Sequence, residues 1–500
     1  MGSDSIDTKL TWTPRGQLAS MKKGSELTTY GYGPIGKLTR VTPPNGATLT
    51  FTYDTAHRLT GIEDVVNGVV NEWSMGQWGQ TGSMGSDSID TKLTWTPRGQ
   101  LASMKKGSGE AGVKSSIKHL SMNSGQLTSM TYPSGRKLHY SYNAMGRIAK
   151  ITITAGGQTQ VLAKDIAYLP FGGITGLDYG NGTHLSQTYN QDYRLTKTET
   201  SNGFSRKYTY DADGNATVLT NTVSRPATPM AVSMAPDSNH IQSLSLNGGP
   251  YNPVTYDAAG RTVRQAGLKY VYYPSGRLFA VQSENADGSA QSLAAYAYSG
   301  LGRRVVTVRL DTPAQQTRHF MYDAAGHLIG VYQADGAPVH EIAYLNGRPL
   351  ALFKGGNIYT IQTDRKDTPR EIANAQGDVI WYLGGSAFDN FVVLYPQDVT
   401  IKLHLHLRFP GQYFDPASGN HYNGHRYYVP TTGRYLTPDP IGLAGGINPY
   451  RYVGDNPISY VDPLGLWQLT IAGGLGYGAL VSVGHNSGQW NVGAYVGAGT

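Results

Sequence analysis

The chain has 500 residues, a formal net charge of +7 drawn from 41 basic and 34 acidic residues, and no cysteine. Charged residues make up only 15% of it, against about 25% in an ordinary soluble domain, and no long run of like charges stands out, so charge gives no footing for nucleic-acid binding. The absence of cysteine excludes disulfides, thiolate nucleophiles and cysteine-based zinc sites, while 64 glycines and 35 tyrosines against 10 phenylalanines point to β-structure with wet faces.

The opening Met1-Gly2-Ser3-Asp4 lacks the basic and apolar regions of a secretory signal. The expectation is an N-terminally incomplete part of a longer protein that is secreted or displayed at the cell surface. Residues 1–25 recur unchanged as 84–108. Their flanks correspond loosely: Gly36-Lys37-Leu38-Thr39 through Tyr53-Asp54 and Arg58 parallels Gly125-Gln126-Leu127-Thr128 through Tyr142-Asn143 and Arg147. Inside this unit sits a shorter signature, Tyr-Asp-x-x-Gly followed by Arg, His or Asn, at Tyr210–Gly214, Tyr256–Arg261 and Tyr322–His327. Degenerate copies are Tyr53-Asp54 with His57 in place of Gly, Tyr142-Asn143 with Gly146-Arg147, and Tyr298 with Gly302-Arg303; a related Tyr-Pro-Ser-Gly-Arg occurs at 132–136 and 273–277. Each copy predicts a hairpin corner, in which the Asp or Asn side chain accepts from an N–H two residues on and Gly supplies a positive φ. Alternating strands flank it, as in Lys137–Tyr142 and Arg147–Ile151. Hairpins of this kind cannot bury an apolar face alone, so they are predicted to continue one long antiparallel sheet, edge to edge.

Further along, Thr363–Glu371 carries Asp364, Asp367 and Arg370, and reads as a structural turn. His404 and His406 alternate with leucines and share a polar strand face; with no further ligands at suitable spacing they make no metal site. Near the C-terminus Asp-Pro-x-Gly-Leu occurs twice, as Asp439–Leu443 and Asp462–Leu466. Between the copies lie the turns Asn448-Pro449-Tyr450 and Asn456-Pro457-Ile458, a stretch built to hold a fixed irregular path because each Pro fixes φ and each Gly permits unusual angles. Asp439 and Asp462 are 23 residues apart, and such a path can bring the two carboxylates together. Close carboxylates share one proton and can activate water for peptide hydrolysis. The structural alternative is that both are Asp-Pro turn starters. Beyond Leu466 the chain changes character: Leu469–Gly484 is too Gly-rich and too short for a membrane span, Gly473–Gly478 lacks the Lys-Ser/Thr ending of a phosphate loop, and Trp490–Val496 alternates like a strand. No cofactor is expected.

These features resemble the YD-repeat, or Rhs-repeat, family. Residues 407–466, with Phe409–Asp415, His421-Tyr422-Asn423, Arg426-Tyr427-Tyr428, Gly433-Arg434-Tyr435-Leu436 and the two Asp-Pro motifs, closely resemble the Rhs-associated core domain, and the whole is similar to the C components of insecticidal toxin complexes and to teneurin YD shells. The resemblance implies an all-β fold. Residues 1–406 would be a long antiparallel sheet of hairpins spiralling into a partial hollow shell, 407–466 a core plug closing one end, and 467–500 a variable segment that begins a truncated effector. It implies a polymorphic-toxin carrier, of the kind used in competition between bacteria, that encloses its effector and frees it by cutting between Leu466 and Trp467. Asp439 and Asp462 would be an aspartic-protease-like pair, and Arg426 the basic residue that orients or tunes a carboxylate. The implied partners are the chain's own effector segment, an immunity protein, a secretion apparatus or cell-surface glycans. Two departures stand out: the chain is short for a complete shell, and a tail of 34 residues is too short for a whole enzyme. Two other readings stay open, a non-catalytic cell-surface protein whose exposed Tyr and Arg bind carbohydrate, and an inactive core fragment of a larger Rhs protein.

Overall fold

A computed structural model describes the main chain over 8–66, 87–95, 101–108, 117–212, 216–220, 230–385, 392–397, 403–466, 469–470, 477–486 and 489–498, apart from breaks at 24–25, 35, 43–47, 56, 58, 124–125, 171, 247, 274, 285–288, 300–301, 313–315 and 324. For 61–123, 216–220 and everything after 466 it describes main chain alone. Trp467, Gly473–Gly476, residues 213–215 of the Tyr210 signature, and 1–7, 84–86 and 96–100 of the duplicated segment lie outside the described residues.

Within these bounds the chain is all-β; two short 3-10 turns, Gly442–Gly445 and Val453–Asp455, are the exceptions. Eighteen strands from Thr8–Trp12 to Ala216–Thr220 pair antiparallel, each with its neighbour in sequence. A second sheet of fourteen strands runs in the same way from Thr255–Tyr256 to Val392–Leu394. The expected continuous sheet is therefore divided, with a three-stranded sheet of Met230–Met234, Ile241–Leu246 and Asn252–Pro253 in between. Its last strand ends at Pro253, which has no N–H to offer a further ladder. The two identical segments form the same hairpin in the same register: Thr8↔Lys23 and Leu10↔Met21 in the first recur as Thr91↔Lys106 and Leu93↔Met104 in the second.

Each residue of the repeat signature has a definite task. Asn143 Oδ1 accepts from the N–H groups of Met145 and Arg147 at 3.0 Å each, and Asp257 does the same for Ala259 and Arg261 at 3.0 and 2.9 Å. Gly146, Gly260 and Gly326 take φ of 75°, 74° and 97°, and His57 accepts the same left-handed conformation, at 62°, in its degenerate copy. The Tyr hydroxyl reaches sideways and caps a carbonyl at the start of the neighbouring strand. Tyr142 bonds Leu127 O at 2.7 Å, Tyr189 bonds Ile174 O at 2.8 Å, Tyr298 bonds Leu278 O at 2.9 Å and Tyr322 bonds Arg304 O at 2.9 Å. The Arg reaches the other way. Arg147, Arg277 and Arg303 lie over the rings of Tyr168, Tyr298 and Tyr322 at 4.7, 5.6 and 5.6 Å, close enough for cation–π attraction, and His327 stacks on Tyr344 at 5.0 Å. Arg277 comes so near the next turn that a Cβ on Gly302 would fall 2.1 Å from its Nη2.

The two long sheets pack on each other through an apolar cluster that includes Tyr132, Leu138 and Ile151 of the first and Ile329, Leu350 and Phe353 of the second. Buried Glu341 joins them, accepting from Arg136 Nη1 at 2.8 Å and Ser134 Oγ at 2.7 Å, with Tyr332 Oη at 2.8 Å. Residues 407–466 pack on the second sheet. There Arg304 is 1% exposed, pairs with Asp415 Oδ2 at 2.6 Å and is ringed by Tyr296, Phe320, Tyr413, Tyr422 and Tyr427 at 4.7–5.8 Å.

Candidate functional site

Four short strands, Gln412–Phe414, His421–Asn423, Arg426–Val429 and Arg434–Tyr435, make a small antiparallel sheet. Asn423 pairs with Arg426, so the hairpin between them has only Gly424 and His425 at its tip, and Gly424 takes the positive φ of 56° that the first position of such a tight turn favours. This tip presses against the second Asp-Pro-x-Gly-Leu. Asn423 Nδ2 donates to Asp462 O at 2.9 Å, the His425 N–H donates to Leu464 O at 2.9 Å, and Arg426 Nε donates to Gly465 O at 2.6 Å. The approach leaves no room for side chains: a Cβ on Gly424 would lie 2.5 Å from Leu464 O, and one on Gly465 would lie 2.2 Å from Asn423 O. Tyr460–Val461 and Leu469–Thr470 pair antiparallel, and the turn that leaves Val461 runs through 462–466, with Leu466 at its end.

Both aspartates come to the same guanidinium. Arg426 Nη2 lies 2.8 Å from Asp439 Oδ2 and 3.4 Å from Asp462 Oδ2, and its Nη1 donates to Pro449 O at 3.0 Å. Arg426, Asp439 and Asp462 are 2%, 6% and 2% exposed. Asp439 also accepts from the Ile441 N–H at 3.1 Å, and Asp462 Oδ1 from the Leu466 N–H at 3.0 Å, so each carboxylate braces its own turn. Burial pushes Asp439 up to about 6, against the pull of Arg426. Two residues without an assigned role in the sequence complete the group. Tyr435 Oη donates to Asp462 Oδ2 at 2.7 Å, its ring lies 3.7 Å from the Arg426 guanidinium, and Asn423 Nδ2 donates to its hydroxyl at 2.8 Å. No spacing pattern marks either residue, because their roles exist only once the 421–435 strands meet the 462–466 loop.

The arrangement provides a carboxyl group whose proton is released near pH 6, a second carboxylate touching the Leu466 amide, and a fixed cation between them. That is the equipment of general acid–base chemistry on a peptide bond. His425 beside them is neutral, pushed down to about 3 by burial and by Arg277, whose Nη2 is 2.9 Å from His425 Nδ1. His404 is exposed, while His406 is half-buried and held well below its usual range by burial. Among the described residues no group of three or more His, Asp or Glu could hold a metal ion. No helix among them is long and apolar enough to cross a membrane.

Comparison with known proteins gives consistent results. The model of the teneurin YD-shell family matches residues 174–458, and the RHS repeat matches 34–69 and 123–159. Double-stranded DNA deaminase toxin A of Burkholderia cenocepacia is 28% identical over 250 residues, covering 43% of this chain and 16% of that protein. Toxin protein Tse5 of Pseudomonas aeruginosa is 29% identical over 252 residues, covering 43% and 19%, and toxin subunit YenC2 of Yersinia entomophaga is 25% identical over 293 residues, covering 53% and 29%. The chain thus spans less than a third of the length of each of these three. Among solved structures, the TcdB2-TccC3-TEV crystal structure matches with a TM-score of 0.63 at 16% identity, covering 93% of this chain and 29% of that one. The Photorhabdus luminescens Tc holotoxin pore matches with the same TM-score and identity, covering 93% and 28%. At that identity the likeness concerns the fold.

Proposed function

The chain belongs to the teneurin YD-shell family, and from that premise we propose that it is the carrier part of a toxin. Its sheets, residues 1–406, wall off a C-terminal effector that begins at residue 467; residues 407–466 close one end; and the chain frees the effector by cutting its own backbone between Leu466 and Trp467. Its similarity to two toxins and a toxin subunit supports the toxin-related role. The single observation that carries the cleavage reading is the meeting of Asp439 and Asp462 on Arg426, against the loop that contains Leu466.

In this reading water attacks the Leu466 carbonyl carbon while Asp462 takes a proton from it. Asp439 gives its proton to the Trp467 nitrogen as the C–N bond breaks, leaving a C-terminal carboxyl on Leu466 and a free amine on Trp467. Arg426 stabilises the negative charge that builds at the carbonyl oxygen and holds both carboxylates in place. The whole protein would be exported, with an immunity protein guarding the producing cell. Intact-mass measurement and N-terminal sequencing of the purified chain test the reading. A fragment starting at Trp467 is expected from the wild type and from neither Asp439→Asn nor Asp462→Asn.

The bracing of Ile441 and Leu466 amides favours a second reading, in which both aspartates only anchor turns and the protein binds another surface or is an inactive core. A folded, uncut wild-type chain would select that alternative.

A further inference from the structure

We propose that Tyr435 is the positioning residue that keeps the Asp462 carboxylate charged and held at the Leu466 amide, leaving Asp439 to hold the proton of the pair. The inference rests on the cleavage reading and goes on to assign which aspartate is base and which is acid. The two carboxylates share one cation but have unequal surroundings. Asp462 accepts from Tyr435 Oη at 2.7 Å and from the Leu466 N–H at 3.0 Å, besides Arg426 at 3.4 Å. Asp439 has the shorter contact to Arg426, at 2.8 Å, and the Ile441 N–H at 3.1 Å, with no hydroxyl donor beside it among its described hydrogen bonds. Donors to an ionised carboxylate favour the ionised form. The extra O–H donor therefore tips the shared proton towards Asp439.

The direction of the Tyr435 proton is fixed by its neighbours. Its oxygen accepts from Asn423 Nδ2 at 2.8 Å, so its one O–H is left to point at Asp462. The hydroxyl also keeps its proton throughout the working range, because burial and the nearby Asp462 charge hold Tyr435 well above the usual tyrosine value. The ring under Arg426 at 3.7 Å and the packing of Tyr428 and Tyr452 around it at 6.1 and 5.8 Å prevent the hydroxyl from swinging away. Among the described residues, Arg426, Asp439 and Tyr435 face Asp462, with Tyr452 behind Tyr435 and neutral His425 beside Arg426. The raised value of Asp439 agrees with its assignment as the proton holder.

The test is the pH profile of self-cleavage in the full chain, started by a pH jump and followed by intact mass. Tyr435→Phe keeps the ring over Arg426 and removes only the donor. It is expected to cut at the same bond with the acidic limb of the profile moved up by about one to two pH units, the worth of a hydrogen bond to a charged group. Replacing Tyr435 with a fluorotyrosine, a stronger donor of the same shape, should move that limb down. An acidic limb unchanged in Tyr435→Phe, or a loss of rate equal at every pH, would overturn the proposal while leaving the cleavage reading intact. A wild-type chain uncut at every pH would remove both. Should Tyr435→Phe fail to fold, the fluorotyrosine chain decides, and an unmoved limb there counts against the role.

Discussion

One guanidinium serves four acceptors at the candidate site: Gly465 O, Pro449 O, Asp439 and Asp462 all meet Arg426. A lysine has the charge without the planar fork. Arg426→Lys should therefore destabilise the chain by about 3 kcal/mol, in the range for breaking a buried charged network, and slow cleavage by about a hundredfold or more, read from melting and fragment mass. Asp439 adds a pH signature. Its folded-state value of about 6 lies above the ordinary 3.8, so folding favours its protonated form. The associated stability is fully present below about 4 and is lost as pH rises through about 6. Melting temperature measured from pH 4 to 7 should show this decline in the wild type, and the Asp439→Asn difference should grow in its favour over the same window. Cleavage that needs the proton on Asp439 should slow about tenfold per unit above pH 6. The two aspartates were legible as a site because their Asp-Pro motif repeats, and Arg426 because the family resemblance implies its role. Asn423 and Tyr435 stand in the same core motifs without a role to read from them, since a polar residue in a tyrosine-rich strand looks the same whether it faces water or a carboxylate.

At the scale of the hairpin, the sequence signature and the turn agree closely. Asp or Asn caps, Gly turns, and even the acid-rich Thr363–Glu371 conforms: Asp364 Oδ1 accepts from the N–H groups of Lys366 and Thr368, and Asp367 takes a φ of 61° where other copies have Gly. Although burial opposes it, Arg370, Lys366 and Arg206 hold Asp364 down to about 2. What the sequence did not reveal is the reach of Tyr and Arg into adjacent turns, because those contacts join residues in different copies and leave no short-range period. They separate the glycines into two classes. Gly203, at φ 102°, has open space where a Cβ would stand, whereas Gly302, at φ 74°, has Arg277 there. Gly203→Ala should cost about 1 kcal/mol from backbone strain alone, and Gly302→Ala at least twice that, compared by urea unfolding. Tyr322→Phe, which uncaps the buried Arg304 carbonyl, should cost about 1–3 kcal/mol.

For the molecule as a whole, two ion pairs with buried carboxylates tie large pieces together. Arg136 and Glu341 join the long sheets, and Arg304 and Asp415 join residues 407–466 to the second sheet. Removing one partner leaves a buried charge uncompensated, which typically costs about 3–5 kcal/mol. Asp415→Ala should therefore expose residues 407–466 to limited proteolysis and abolish cleavage, although Asp415 lies outside the Arg426 group. The all-β class and long antiparallel sheets were readable from Tyr, Gly and alternation. The division into two sheets was not, since the same hairpin signature occurs on both sides of it.

The turn ladder also has a direction. At successive turns such as these the earlier hairpin supplies the carbonyl and the cation, and the later one supplies the hydroxyl and the ring, as Arg277 and Leu278 do for Tyr298 and Arg303 and Arg304 do for Tyr322. A ribosome releases the chain in that same order. A hairpin seated in this way finds its acceptor and its cation already in place when it emerges, whereas the 132–136 turn waits for Ile342 and Glu341 of the second sheet. Growth from a folded edge, one hairpin at a time, keeps strand pairing local while the chain is being made.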